Sequence, residues 1–202
     1  MRSAVLVLVM LLACGGTAFG QQSASFGVKA GVNFANLNFE GDEDDAELDS
    51  RTRFVGGLFV VVPANSQFAL QAEALFSQKG AKAEEEGFSS RISLNYIDIP
   101  VLARFSTPAS SGASFHVFAG PSFSFKTSAE ATSEFEGEEE TEDLDEQVKG
   151  FDLGLVLGAG VEFGRFVLDG RYTWGMTDIN DEEEEGLKVK TRTFAIMAGF
   201  RF

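Results

Sequence analysis

The feature that most constrains this chain is a two-residue alternation of bulky apolar side chains with polar or small ones. Residues 165 to 176 set Phe166, Leu168, Tyr172, Trp174 and Met176 on one parity, against Asp169, Arg171 and Thr173 on the other. Residues 151 to 163 set Phe151, Leu153, Leu155, Leu157, Val161 and Phe163 against Asp152 and Glu162. Phe68, Leu70 and Phe76 oppose Gln71 and Glu73. At the end of the chain, Phe194, Ile196, Phe200 and Phe202 oppose Thr193 and Arg201. Successive side chains of a strand point to opposite faces, so a period of two means strands with one greasy face each.

Eight such segments are expected, at about 24–34, 51–62, 67–79, 91–106, 114–126, 148–162, 165–177 and 189–202. The connections between them take turns. Residues 63–66, 107–113 and 163–165 are short and carry turn formers. Residues 36–50, 80–90, 127–147 and 178–187 are long and crowded with Asp and Glu. Short turns on one side and long loops on the other are what a meander of hairpins crossing a membrane shows. The expected fold class is all-β: an eight-stranded antiparallel up-and-down transmembrane barrel with four long acidic loops.

Composition removes the rivals. A formal net charge of −15 excludes nucleic-acid binding through a general basic surface, because phosphates would be repelled. A single cysteine, Cys14, excludes a disulfide scaffold. An apolar fraction of 44% excludes full disorder. No apolar run approaches the roughly 20 residues a spanning helix needs.

The charges choose which strand face is outside. Of the 31 acids, 26 lie in the four long connections. The other five, Glu73, Asp98, Asp152, Glu162 and Asp169, all sit on the parity opposite the bulky apolar residues. The strand bases Lys29, Arg53, Arg104, Lys126, Arg171 and Arg201 obey the same rule. Each apolar face is therefore nearly free of charge over about 9–11 residues, the length a tilted strand needs to cross hydrocarbon. These charges are expected to form an ion network in the lumen. Eight strands leave an interior just wide enough for side chains to fill, so the network is read as a plug, with a narrow gated ion path as the rival. Phe26, Phe34, Phe105, Phe115, Phe163, Phe166, Trp174 and Phe202 lie near the ends of the apolar faces, where interfacial girdles form. Pro100 and Pro121 should mark irregularities, because a closed barrel has no free edge for a residue without an N–H.

The first twenty residues read as a leader. Arg2 is followed by the apolar run Ala4 to Leu12, and small residues precede Gln21. This predicts a cleaved signal peptide over 1–20, cut between Gly20 and Gln21, and a barrel domain over 21–202. Leu11-Leu12-Ala13-Cys14 also resembles a lipobox, which would leave Cys14 lipidated. Both readings export the chain, and the barrel places it in a bacterial outer membrane.

A family resemblance rests on three stretches. Gly27-Val28-Lys29-Ala30-Gly31-Val32-Asn33-Phe34-Ala35-Asn36-Leu37 resembles the opening strand of the PorT-like outer-membrane barrels of Bacteroidetes and their relatives. Tyr96-Ile97-Asp98-Ile99-Pro100-Val101-Leu102-Ala103-Arg104-Phe105 is similar to their central strand, with Asp98 in place of the more usual acid. Gly199-Phe200-Arg201-Phe202 resembles the aromatic terminal strand read by the barrel-insertion machinery. The resemblance implies an outer-membrane barrel and, by association, a helper role in secretion or envelope assembly. The barrel is expected to be a monomer.

Chemistry beyond the barrel is thinly signalled. No cofactor is expected, and no catalytic residue is identified. His116 is the only histidine and falls on the lumen parity near the short turns, which reads as a hydrogen-bonded plug residue. Gly158 and Gly160 lie inside an alternating strand and open no helix, so they cradle no phosphate. The loop acids Asp42, Asp44, Asp45, Glu183 and Glu185 are weak candidates for divalent cations. An EF-hand begun at Asp178 would put Glu183 where glycine is needed and Val189 where the bidentate Glu belongs. Diffuse cation condensation fits this spacing better than an ordered site. Arg51, Arg53, Lys79, Lys82, Arg91, Lys126, Lys149, Lys188, Lys190 and Arg192 form a basic collar at the loop-side strand ends. The collar either pairs with anionic glycolipid or neutralises the roots of the loops. The expected role is non-enzymatic, in envelope integrity or surface interaction, with narrow transport as the alternative.

Overall fold

The computed structural model describes residues 23–40, 49–85, 88–110, 112–135, 138–143, 148–177 and 188–202. The strands are β1 (Ser25–Glu40), β2 (Asp49–Pro63), β3 (Phe68–Glu85), β4 (Phe88–Ser106), β5 (Ala113–Phe135), β6 (Glu138–Asp143), β7 (Phe151–Phe163), β8 (Phe166–Gly175) and β9 (Lys188–Arg201). All pairings are antiparallel, in the order β4-β3-β2-β1-β9-β8-β7-β5-β6, and β4 also pairs with β5. That last pairing closes the sheet. Eight strands form the ring; β5 pairs with β4 on one edge and with β7 and then β6 on the other, and β6 hangs on β5 alone. The result is the up-and-down barrel the alternation predicts.

The faces are inverted relative to a soluble protein. Phe26, Phe115, Phe166, Leu58, Leu157 and Leu168 are all more than half exposed on the outer wall. Glu73, Asp152, Asp169, Lys29 and Arg171 are buried inside. A soluble barrel would reverse this, because burying charge and wetting phenylalanine are both costly. Aromatic belts edge the apolar wall. Near the short turns, Phe26 meets Phe202 at 5.9 Å, Phe166 meets Phe200 at 5.4 Å and Phe68 meets Phe105 at 5.1 Å, centroid to centroid. Near the long connections, Phe125 meets Phe151 at 5.5 Å and Tyr172 meets Trp174 at 4.5 Å.

The short turns are built as their residues suggest. The Asn65 side-chain oxygen accepts from the Gln67 and Phe68 amides at 2.9 and 2.8 Å. Gly164 holds φ at 58°, which lets β7 turn into β8 through two residues. Both prolines break their ladders. The β3–β4 register has no partners between Ala72↔Val101 and Leu75↔Asp98, around Pro100. The β4–β5 register has none between Pro100↔Ser122 and Ala103↔Ala119, around Pro121.

Two connections expected as loops are largely strand. β3 runs on to Glu85 and β4 begins at Phe88, so most of 80–90 is a hairpin. β5 runs on to Phe135 and returns as β6, which takes up much of 127–147. β4 and β5 stay paired as far as Phe88↔Phe135, so β3, β4, β5 and β6 project beyond the barrel as one flap. The crowded acids conceal this in the sequence, because dense charge points to loop. Yet Glu130 and Glu134 alternate with Ala and Thr or Ser, a pattern a strand tolerates when both faces meet water. The flap starts at a bulge. Asn95 pairs with Ser128 and Tyr96 with Lys126, leaving Thr127 as the extra residue, with its hydroxyl on the Asn95 carbonyl at 3.0 Å.

Candidate functional site

The lumen is where this chain concentrates chemistry. Its centre is built by β1, β3 and β8, which aim Lys29, Glu73, Asp169 and Arg171 at one another. Lys29 Nζ lies 2.9 Å from Glu73 Oε1 and 2.8 Å from Asp169 Oδ2. Arg171 grips both oxygens of Glu73 at 2.6 and 3.0 Å and reaches Asp169 at 3.2 Å. Two cations face two anions, so this buried group is neutral. Neutrality matters, because an unpaired buried ion costs several kcal/mol. Rings finish the enclosure: Lys29 Nζ lies 4.8 Å from the Phe59 ring centre, and the Arg171 guanidinium 5.0 Å from that of Phe118.

From there the network descends toward the short turns. Gln71 Nε2 donates to Glu73 Oε1, and Arg104 donates to Gln71 Oε1 at 3.0 Å. Arg104 pairs with Glu162 at 2.8 Å, and Arg201 pairs with Glu162 at 3.3 Å. Below Arg104 lies a polar cup of about 230 Å³, lined by Gln67, Ser106, Ser114, Glu162 and Arg201 among others. His116 is buried nearby, stacked on Phe118 at 5.8 Å, and its Nδ1 has no hydrogen-bond partner.

A second group occupies the loop-side half. Asp98 on β4, Ser124 on β5 and Asp152 on β7 share one register row. Lys79 is 3.5 Å from Asp98 and 4.6 Å from the Tyr96 ring centre. Thr191 donates to Asp152 Oδ2 at 3.0 Å. A cavity of about 20 Å³, room for one water, separates this group from Arg171.

The structure thus links seven of the sequence-derived lumen charges, Lys29, Glu73, Arg104, Glu162, Asp169, Arg171 and Arg201, into one network. Asp98 and Asp152 lie in the loop-side group. Arg53 donates to Ser93 at 2.8 Å and Lys126 to the Val148 carbonyl at 2.6 Å, both nearer the loops. Lys79 is a correction: expected in the collar, it is buried in the lumen. Its parity with Glu73, Leu75 and Ser77 carried that signal. Gln71 lies inside, on the parity it shares with Glu73. Tyr96 and Phe118 are lumen residues the sequence does not single out, because uncharged rings do not stand out from the apolar background. Apolar clusters fill the space between charges, namely Val55, Leu75, Ala195 and Met197, then Phe59, Val61 and Val167, then Leu102, Phe118 and Val156. The cation candidates Asp42, Asp44, Asp45, Glu183 and Glu185, and the cleavage pair Gly20 and Gln21, lie outside the described residues. Among the described residues, no three or more His, Cys, Asp or Glu gather as a metal site.

Residues 19–181 match the family described as outer membrane protein beta-barrel domain. The chain belongs to that family. An outer-membrane barrel accounts for the apolar outer wall and the charged lumen together. Similar solved structures include Ail, the attachment invasion locus protein of Yersinia pestis. It is 19% identical, with 90% of this chain and 100% of that one covered, at a TM-score of 0.48. Neisserial surface protein A is 14% identical over 90% and 100%, with a TM-score of 0.47. OprG from Pseudomonas aeruginosa is 10% identical over 91% and 98%, with a TM-score of 0.46. No curated protein matches the chain significantly.

Proposed function

We propose that this outer-membrane barrel is a monomeric, non-enzymatic envelope protein that supports the membrane or makes surface contacts through its acidic connections. The observation that carries the reading is the Lys29–Glu73–Asp169–Arg171 group, which occupies the middle of the lumen with two cations paired to two anions. A solute would have to break that pairing to pass. The chain offers chemistry at its outer end instead, where the connections and the flap carry most of its acids. In this reading residues 1–20 are a cleaved signal peptide and the terminal strand addresses the insertion machinery. The basic collar meets anionic headgroups, and the loops condense divalent cations without an ordered site. The PorT-like features of β1 and β4 fit an accessory task in envelope assembly within the same picture.

Planar-bilayer recording tests the plug. The wild-type protein is expected to give no steady conductance, and a steady current abolished by neutralising Arg104 or Glu73 would replace this reading with transport. Deleting residues 127–147 tests surface interaction. Binding of the protein to cells or cations is expected to fall, and unchanged binding would remove the loops from the account.

A further inference from the structure

The chain has a formal net charge of −15, yet its short-turn end carries a positive excess. Among the described residues there, Arg104, Arg165 and Arg201 stand against the carboxylate side chain of Glu162 alone. The excess persists when the carboxyl end of Phe202 is counted. Arg104 is fully engaged: its Nε donates to Ser106 at 3.2 Å, its Nη1 to Gln71 at 3.0 Å, and its Nη2 pairs with Glu162 at 2.8 Å. Arg201 is not. It meets Glu162 through Nη1 alone, at 3.3 Å from Oε2 and 3.5 Å from Oε1. A charge-assisted pair closes to about 2.7–2.9 Å when nothing opposes it. Among the described residues, Arg201 Nε and Nη2 meet no acceptor, and the side chain is 32% exposed. Arg201 and Arg104 both line the cup of about 230 Å³ at this end. Buried Arg104 and Glu162 form its floor, and the exposed turn residues Asn65, Gln67 and Thr107 its mouth.

We propose that this cup binds a small monocarboxylate anion, entering from the short-turn side and paired with Arg201 through Nε and Nη2. Those two nitrogens form the side-on edge of the guanidinium fork, which takes a planar carboxylate through two parallel hydrogen bonds. With Arg104 and Glu162 satisfying each other, the cup is left with one positive charge, which calls for one negative charge. A dianion fits worse, because Glu162 lies in the same lining and repels a second unit of charge. The space exceeds one carboxylate and has room for a body of a few carbons. Neutral groups suit a polar body: Ser106 accepts from Arg104 and keeps its own proton to donate, and the Gln67 carboxamide stands at the mouth. A concave wall around a cation also raises the local concentration of anions, which the acidic remainder of the chain repels. In barrels of this kind the short turns face the periplasm, so that compartment supplies the anion. The proposal is independent of whether the central group lets solutes pass.

Titration of the full chain, refolded in uncharged micelles, tests this by nitrogen NMR of the arginine Nε–H groups. Sodium lactate is the probe, with sodium chloride holding ionic strength constant. The Arg201 signal is expected to move saturably, with a Kd of about 1 mM for a ligand of so few atoms. Lactamide, which has the same body without the charge, should not move it, and sulfate should bind more weakly than lactate. Arg201→Gln should abolish binding as read by calorimetry. Arg201→Lys keeps the charge but loses the side-on edge, so it should weaken binding roughly tenfold and covers the event that the glutamine variant folds poorly. Arg165→Gln, in the exposed turn outside the cup, should leave it intact. No saturable shift, binding that survives both Arg201 substitutions, or sulfate binding as tightly as lactate overturns the proposal.

Discussion

Arg171 on β8 holds Glu73 on β3 through both nitrogens of its fork, at 2.6 and 3.0 Å, across 98 residues of sequence. The two strands are not neighbours in the sheet. The pair therefore ties opposite walls of the barrel where no backbone ladder does, and Lys29 on β1 adds a third wall. Bidentate geometry makes such a contact directional as well as strong.

Breaking that tie exposes its value. Glu73→Gln leaves Lys29 and Arg171 facing one carboxylate instead of two. The expected loss is roughly 3–5 kcal/mol in urea unfolding in micelles, the cost of breaking a buried pair by removing one partner. Adding Lys29→Met should restore part of it, because one orphaned cation is then gone. A neutral single variant would show that the network contributes nothing to stability.

Depth on the outer wall should be readable by substitution. Leu157, mid-strand and 53% exposed, lies where hydrocarbon is thickest. Leu157→Arg is expected to cost about 2–4 kcal/mol in lipid vesicles, and Phe163→Arg, at the short-turn end of the same strand, only about 0–1. Equal costs at both positions would contradict a spanning wall.

Close strand approach gives another test. A Cβ on Gly31 would lie 1.9 Å from the Ile196 carbonyl oxygen of β9, so backbone must move to admit it. Gly31→Ala should lose about 1–3 kcal/mol by overpacking. Gly150→Ala, with nothing within 4 Å of its Cβ position, should change little. The comparison is made by the same unfolding midpoint.

The flap should be separable from the barrel. Deleting residues 130–143 removes β6 and the outer part of β5 and takes away no member of the Lys29–Glu73–Asp169–Arg171 group or of the Arg104–Glu162–Arg201 chain. Heat-modifiable gel mobility should persist with stability within about 1 kcal/mol, since surface insertions are tolerated well thermodynamically. Loss of the compact form would make the flap part of the folding unit.

The barrel was legible because one physical rule, the period of two, governs every spanning strand and places Glu73, Asp169 and Phe166 on the correct faces at once. The flap was not, because outside the hydrocarbon both faces of a strand meet water and the alternation loses its contrast. Glu130, Ala131 and Thr132 carry no greasy face to betray them. Lys79 was misplaced for a related reason: near a membrane boundary a lysine suits either a headgroup or a lumen acid. Its parity with Glu73 and Ser77 points inward, and the contacts with Asp98 and Tyr96 bear that out. The pairing of Lys29 with both Glu73 and Asp169 lay beyond the alternation, because it depends on how far the strands shear around the ring.

The contact between β1 and β9 runs from Gly27↔Arg201 to Glu40↔Lys188, and it is the one joint of the ring between strands far apart in the sequence. Every other joint of the cylinder can zip between chain neighbours. This one cannot form before the last strand is made. The cylinder therefore seals last along β1 and β9, and until it does the chain carries two raw edges whose N–H and C=O groups are free to pair with anything else.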